Sequence, residues 1–285
     1  MPSLLPDRLV ERLKNLTDPP AVVAHVRLDG LIAPAGGFMR QGLSIARLDA
    51  VLKQAFGLKR LAAVALSINS PGGSAAQSSL IAARIRALAE EKKVPVLAFV
   101  EDIAASGGFW LACAADEIFC DATSIVGSVG VISAGFGFQD AIARVGVERR
   151  VHTAGARKSM LDPFRPEKPD DVARLRDLQD QLHAIFKDHV RTRRGAKLKG
   201  EDASLFEGDI FVGQRAVDVG FADALGTLHA TVKARFGKRA RLVRVGARRR
   251  GLLSRLLPIG QAAEGLADGF LAAAESRAAY ARYGL

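Results

Sequence analysis

Residues Leu61–Glu90 read LAAVALSINSPGGSAAQSSLIAARIRALAE, and this succession of apolar run, turn and helical pattern decides the fold class. Leu61–Ile68 is apolar with almost no polar alternation, as in a strand covered on both faces. Pro71 pre-sets a turn, and Gly72 and Gly73 permit positive φ and close backbone approach. Ser74 stands where a helix N-cap belongs, and helical spacing then continues to Glu90. Strand, tight turn and helix in this order form the repeating unit of a parallel α/β sheet. Outward from this stretch the rhythm persists. Strands are expected at Ala21–Leu28, Val94–Val100, Glu117–Cys120, Ile125–Ile132 and Val147–His152, and helices at Ser44–Phe56 and Gln139–Val145. Ser44 is the expected N-cap of the first helix. After Pro169, an amphipathic helix spans Asp170–Arg194, with Val172, Leu175, Leu178, Leu182, Ile185, Phe186 and Val190 on one stripe for core packing or a subunit contact.

The chain has 285 residues, 49% apolar and 25% charged. A fold of this size buries about three quarters of its unfolded surface and needs neither disulfides nor a structural metal. The composition excludes disorder, collagen and coiled coil. Cys113 and Cys120 form no C-x-x-C and sit among apolar residues, which marks them as reduced core residues and favours a reducing compartment. No apolar run of secretory-signal length occurs in the first 20 residues. The uncharged stretch Ala122–Gln139 contains four glycines and reads as buried strand and turn, not as a membrane span. Charge is uneven: Lys233–Arg255 holds ten Lys or Arg and no Asp or Glu, leaving 31 positive against 30 negative charges elsewhere. Such a block suits an anionic membrane surface or a solvated face. Nucleic acid is disfavoured, because Trp110, Tyr280 and Tyr283 all lie outside the block and leave it no Trp or Tyr to stack a base.

Chemistry in an α/β sheet gathers at the C-terminal strand ends. One such end is Asn69-Ser-Pro-Gly-Gly73, whose free backbone N–H groups could face an oxyanion or merely turn the chain. The other is Ala104-Ala-Ser-Gly-Gly-Phe-Trp-Leu-Ala112, where small residues surround Ser106 at a strand-to-helix bend. Ser106 is there either an N-cap or a nucleophile, and a nucleophile needs a base.

These two segments, followed by Ala115-Asp-Glu-Ile118, Ile125-Val-Gly-Ser-Val-Gly-Val-Ile132 and Gly208–Gly226, resemble peptidase family S49, the signal peptide peptidase A and SohB-like serine proteases. The resemblance covers roughly residues 21–228. It implies a ClpP/crotonase-like α/β superhelix of repeated β-β-α-type units with a mostly parallel sheet. It also implies a Ser–Lys dyad acting through an acyl-enzyme on unfolded or signal-type peptides, with small or apolar residues beside the cut. Carried onto this sequence, Ser106 is the nucleophile. Lys158, in Gly155-Ala-Arg-Lys158, is the general base and acid, and Ser128 orients the lysine amine. The backbone N–H groups of Gly73 and Gly107 form the oxyanion hole. Arg157 matches no motif position and cannot lose its proton. A lysine base must be neutral, so activity is expected to rise with pH. The resemblance further implies a homo-oligomer whose sites a neighbouring subunit can complete.

Of the five histidines, only His152 falls near the strand ends used here, and it is read as structural or as a surface residue. His183 and His189 are six apart, the wrong spacing for ligands on one helix face. No metal and no cofactor are expected. A crotonase-type acyl-CoA enzyme is the rival reading, with Glu101 and Asp102 as its carboxylates. A non-catalytic scaffold held to an acidic surface through 233–255 is another. The expected organisation is an N-terminal lead at 1–20, a peptidase domain at 21–235, and a basic, alanine-rich extension at 236–285 in which Ala262–Tyr283 is helical. The expected location is cytoplasmic, peripheral at the inner membrane face.

Overall fold

The computed structural model describes residues 19–35, 42–246 and 277–285. Its centre is an eight-stranded sheet. β1 (Val22–Asp29), β2 (Leu61–Ser70) and β3 (Val96–Ala105) lie side by side and parallel. Val64, Ala65, Leu66 and Ile68 are fully buried, as a strand covered on both faces requires. α1 (Ile45–Phe56) and α2 (Ala75–Lys92) are the crossover helices. Ser74 caps α2, its hydroxyl accepting from the Gln77 amide at 3.4 Å. Ser44 stands at the start of α1 but makes no capping bond; the first amide of the helix, that of Ile45, donates to the Gln77 Oε1 at 2.9 Å.

β3 has two neighbours on its far side. Leu97–Val100 pair with β4 (Glu117–Cys120), and Ile103–Ala105 pair with β5 (Ile125–Gly127). α3 (Gly107–Ala112) connects β3 to β4. The expected strand Ile125–Ile132 stops at Gly127, where positive φ at Gly127 and Ser128 turns the chain away. β5 pairs antiparallel with β6 (Ile210–Val212), while β4 pairs with β7 (Ala224–Leu225). β8 (Arg241–Val245) lies parallel to β1 at the opposite edge, so the sheet runs past residue 235. Every pairing except β5 with β6 is parallel, giving a mixed α/β fold with a mostly parallel sheet.

The larger core cluster joins α1, α2 and α3 to one face of the sheet. On the other face Val23, Ala63, Ala65, Leu97 and Phe99 meet Leu228 and Val232 of the helix Leu228–Phe236. The long helix α5 (Pro169–Arg194) enters the core only at its end, through Phe186, Val190 and Arg194. Arg194 is buried and pairs with Asp223 at 2.8 Å, and Asp223 also accepts from the Ile118 amide at 2.7 Å, tying α5 to β4. Burial works to raise the Asp223 pKa, but the hydrogen bonds from Arg194, Lys197 and Ile118 outweigh it and hold the carboxyl below the usual range. Earlier on α5, Leu178, Leu182 and Ile185 remain exposed.

The expected strand Val147–His152 is irregular, with Val147 54% exposed and, among the described residues, no strand paired with it. It belongs to an open arm, residues 131–167, whose helix α4 (Gln139–Arg144) buries nothing. Ile132, Phe136, Phe138, Val145 and Phe164 are all exposed on this arm. Cys113 and Cys120 are buried and unpaired, and burial pushes their thiols up to about 12 and about 11. Among the described residues no helix is long and apolar enough to cross a membrane, and no cluster of metal-ligating side chains occurs. The lead at 1–18, the basic block beyond Gly246 and residues 262–276 of the expected helix Ala262–Tyr283 lie outside the described residues.

Candidate active site

β3 delivers Ser106 at its C-terminal end. The Ser106 amide donates to the Gly127 carbonyl at 2.8 Å, and the residue sits at φ 51°, ψ −121°. A side chain held in so sparse a region costs about 1–3 kcal/mol, and such strain persists only where the surroundings impose it. Although Ser106 precedes α3, its hydroxyl makes no capping bond, so the side chain does not serve as the N-cap of that helix. Two glycines explain the tight packing beneath it. A Cβ on Gly108 would meet the Ser70 carbonyl oxygen at 2.3 Å, so the start of α3 lies directly on the end of β2. Gly72, at φ +102°, comes so close that a Cβ there would meet the Gly107 nitrogen at 2.8 Å and the Ser106 Cβ at 2.9 Å.

The turn after β2 is thereby pressed against the serine turn. It is pinned from the other side by Ile32, whose amide donates to the Gly72 carbonyl and whose carbonyl accepts from the Ser74 amide, both at 2.8 Å. Ser128, one residue past β5, has φ 55° and donates its amide to the Asp209 carbonyl at 2.6 Å. Gly73, Ser106, Gly107 and Ser128 all line one cavity of about 690 Å³. Its apolar wall comes from Trp110, Val131, Ile132, Leu182 and Phe186. A concave, largely apolar pocket with a few convergent polar groups is the usual form of a ligand-binding site.

Lys158 is not brought to this cavity. It lies on an exposed turn of the open arm, its amide donating to the Gly155 carbonyl at 3.2 Å. His152 is exposed on the same arm. Glu101 is engaged by Arg27 at 2.7 Å, and Asp102 accepts from the Asn69 Nδ2 at 2.8 Å; neither lines the cavity. His183 contacts the Val129 and Phe206 carbonyls. His189 stacks on Trp110 and meets its carbonyl, and burial lowers its pKa. These are packing roles.

The sequence reading missed the involvement of residues 277–285. Ala279, Arg282 and Tyr283 line the cavity, the Tyr283 hydroxyl donates to the Ser128 Oγ at 3.2 Å, and the Tyr280 hydroxyl donates to the Asn69 carbonyl at 2.9 Å. No periodicity could have signalled this, although Tyr280 and Tyr283 are the only two tyrosines in the chain.

The family model described as peptidase family S49 matches residues 88–240. A protein from Brucella abortus named as the Na(+)/H(+) antiporter NhaA is 45% identical over 100% of this chain, which spans 39% of that relative's length. The chloroplastic serine protease SPPA of Arabidopsis thaliana is 31% identical over 61% of this chain and 25% of its own. A solved membrane-bound stomatin-specific protease is 14% identical with a TM-score of 0.45, covering 79% of this chain and 98% of that one.

Proposed function

The chain belongs to peptidase family S49, and from that premise we propose that it is a serine endopeptidase of unfolded or signal-type peptides, built on a ClpP/crotonase-like superhelix. The observation that carries the proposal is Ser106 itself: a strained, uncapped hydroxyl on the wall of an apolar cavity, beside Gly73, Gly107 and Ser128. In the proposed reaction the neutral amine of Lys158 takes the Ser106 hydroxyl proton as Oγ attacks a peptide carbonyl. The N–H groups of Gly73 and Gly107 hold the oxyanion. The Lys158 ammonium then protonates the leaving amine as the C–N bond breaks, leaving an acyl-enzyme. Water, deprotonated by Lys158, attacks the ester carbonyl, and the Ser106 Oγ leaves with that proton.

Lys158 stands on an exposed turn outside the cavity of its own chain. The same arm exposes Ile132, Phe136, Phe138 and Phe164, apolar surface that favours cover by another protein. We therefore place Lys158 in the cavity of an adjoining copy within a homo-oligomer, where Ser128 receives its amine. The antiporter name belongs to relatives more than twice as long as this chain, and the proposal does not carry that activity over to it. Neither carboxylate of the acyl-CoA reading faces the cavity, which favours the peptidase.

The test is cleavage of a denatured protein, read by mass spectrometry, for wild type, Ser106→Ala and Lys158→Ala. Products from wild type alone support the dyad. Equal cleavage by all three would overturn it.

A further inference from the structure

The cavity of Ser106 is walled in part by the chain's own segment 277–285. A short helical turn over 277–281 brings Tyr280 and Tyr283 to one side. Tyr280 reaches the end of β2, where its hydroxyl donates to the Asn69 carbonyl at 2.9 Å. Tyr283 reaches beyond β5, where its hydroxyl donates to the Ser128 Oγ at 3.2 Å. Ala279 and Arg282 complete this wall. The two hydroxyls thus grip the two strand ends between which β3 presents Ser106.

We infer that segment 277–285 is an occluding latch, in which Tyr283 holds the Ser128 hydroxyl that the incoming lysine needs and the segment narrows the cleft that a peptide must enter. The inference rests on the proposed role of Ser128 and Lys158. With the latch docked, Ser128 already accepts a hydrogen bond from Tyr283, and an amine brought by another copy must approach Ser128 past the Tyr283 ring. Release frees Ser128 and widens the cavity together, so substrate and base would favour the same open state.

The attachments on these two sides are neutral hydrogen bonds, each shifting a docking equilibrium by about fivefold. Burial pushes the Tyr280 hydroxyl up to about 12, so it remains a donor across the working pH range. Removing both hydroxyls while keeping both rings should release the latch by about tenfold to thirtyfold without disturbing the core.

The experiment compares wild type, a Tyr280→Phe/Tyr283→Phe double variant and Ser106→Ala in cleavage of a denatured, carboxymethylated protein. Amide hydrogen exchange over 277–285 is followed in parallel. The latch predicts that kcat/KM of the double variant rises about tenfold over wild type, while the amides of 283–285 lose protection. A double variant equal to or slower than wild type overturns it. If Ser106→Ala cleaves as well as wild type, the serine chemistry fails instead, and exchange alone then decides the latch. Protection abolished by the two Tyr→Phe changes supports it, and no protection in wild type overturns it.

Discussion

Gly72→Ala should separate activity from stability. Gly72 has φ +102°, where an L side chain costs about 1–3 kcal/mol. An added Cβ would also stand 2.8 Å from the Gly107 nitrogen, 2.9 Å from the Ala105 oxygen and 2.9 Å from the Ser106 Cβ. Carbon contacts relax to about 3.5–4.0 Å, so the serine turn must retreat by about 0.5–1 Å. A shift of that size at a reacting atom costs about a hundredfold in rate. Gly237→Ala is the control: Gly237 has φ +88° with nothing within 4 Å of a Cβ, and it does not line the cavity. Both variants should lose stability, Gly72→Ala by about 2–4 kcal/mol, or about 5–10 °C in Tm. Only Gly72→Ala should lose kcat/KM, by about a hundredfold. Steady-state cleavage of a fluorogenic peptide and thermal unfolding of both proteins provide the assay. A folded Gly72→Ala enzyme within about twofold of wild type would refute the close approach of the two turns.

Two further expectations concern stability. Asp223→Asn leaves the buried guanidinium of Arg194 without its carboxylate and should cost about 3 kcal/mol, measured by urea unfolding. Because the folded Asp223 pKa lies below its unfolded value, its contribution is present above about pH 3.9 and is lost as pH falls through the folded pKa. The variant should lack that part of the acid transition, and an unchanged transition would contradict the pairing. Burial lowers the pKa of both His25 and His189, so the unfolded chain takes up their protons first. The urea midpoint should therefore fall as pH drops below about 6.5, and a midpoint that rises would contradict their half-buried, neutral state.

Much of the sheet was legible because its strands are covered on both faces. Leu61–Ile68 and Glu117–Cys120 carry continuous or β-favouring apolar runs, and the Pro71-Gly72-Gly73 turn announces the helix behind it. The same logic misled at Val147–His152, since apolar content does not distinguish a buried strand from an arm whose hydrophobic side chains are open in the single chain. Ile125–Ile132 was read too long because two successive positive-φ positions, Gly127 and Ser128, end β5, and a serine gives no sign of left-handed backbone. At the site, the grouping of Gly73, Ser106, Gly107 and Ser128 around one cavity follows from strand ends that parallel topology brings together. The approach of Tyr283 to Ser128 spans 155 residues of sequence, and no local pattern encodes a contact of that range.

The central claim, that Ser106 of one copy works with Lys158 of another, is tested most directly by complementation. Ser106→Ala and Lys158→Ala chains are each inactive alone and are co-expressed in equimolar amounts as mixed oligomers. A site is competent when an intact Ser106 meets an intact Lys158 from its neighbour, so random assembly predicts recovery of about a quarter of wild-type activity. Mixed oligomers no more active than either parent would contradict a dyad completed between copies.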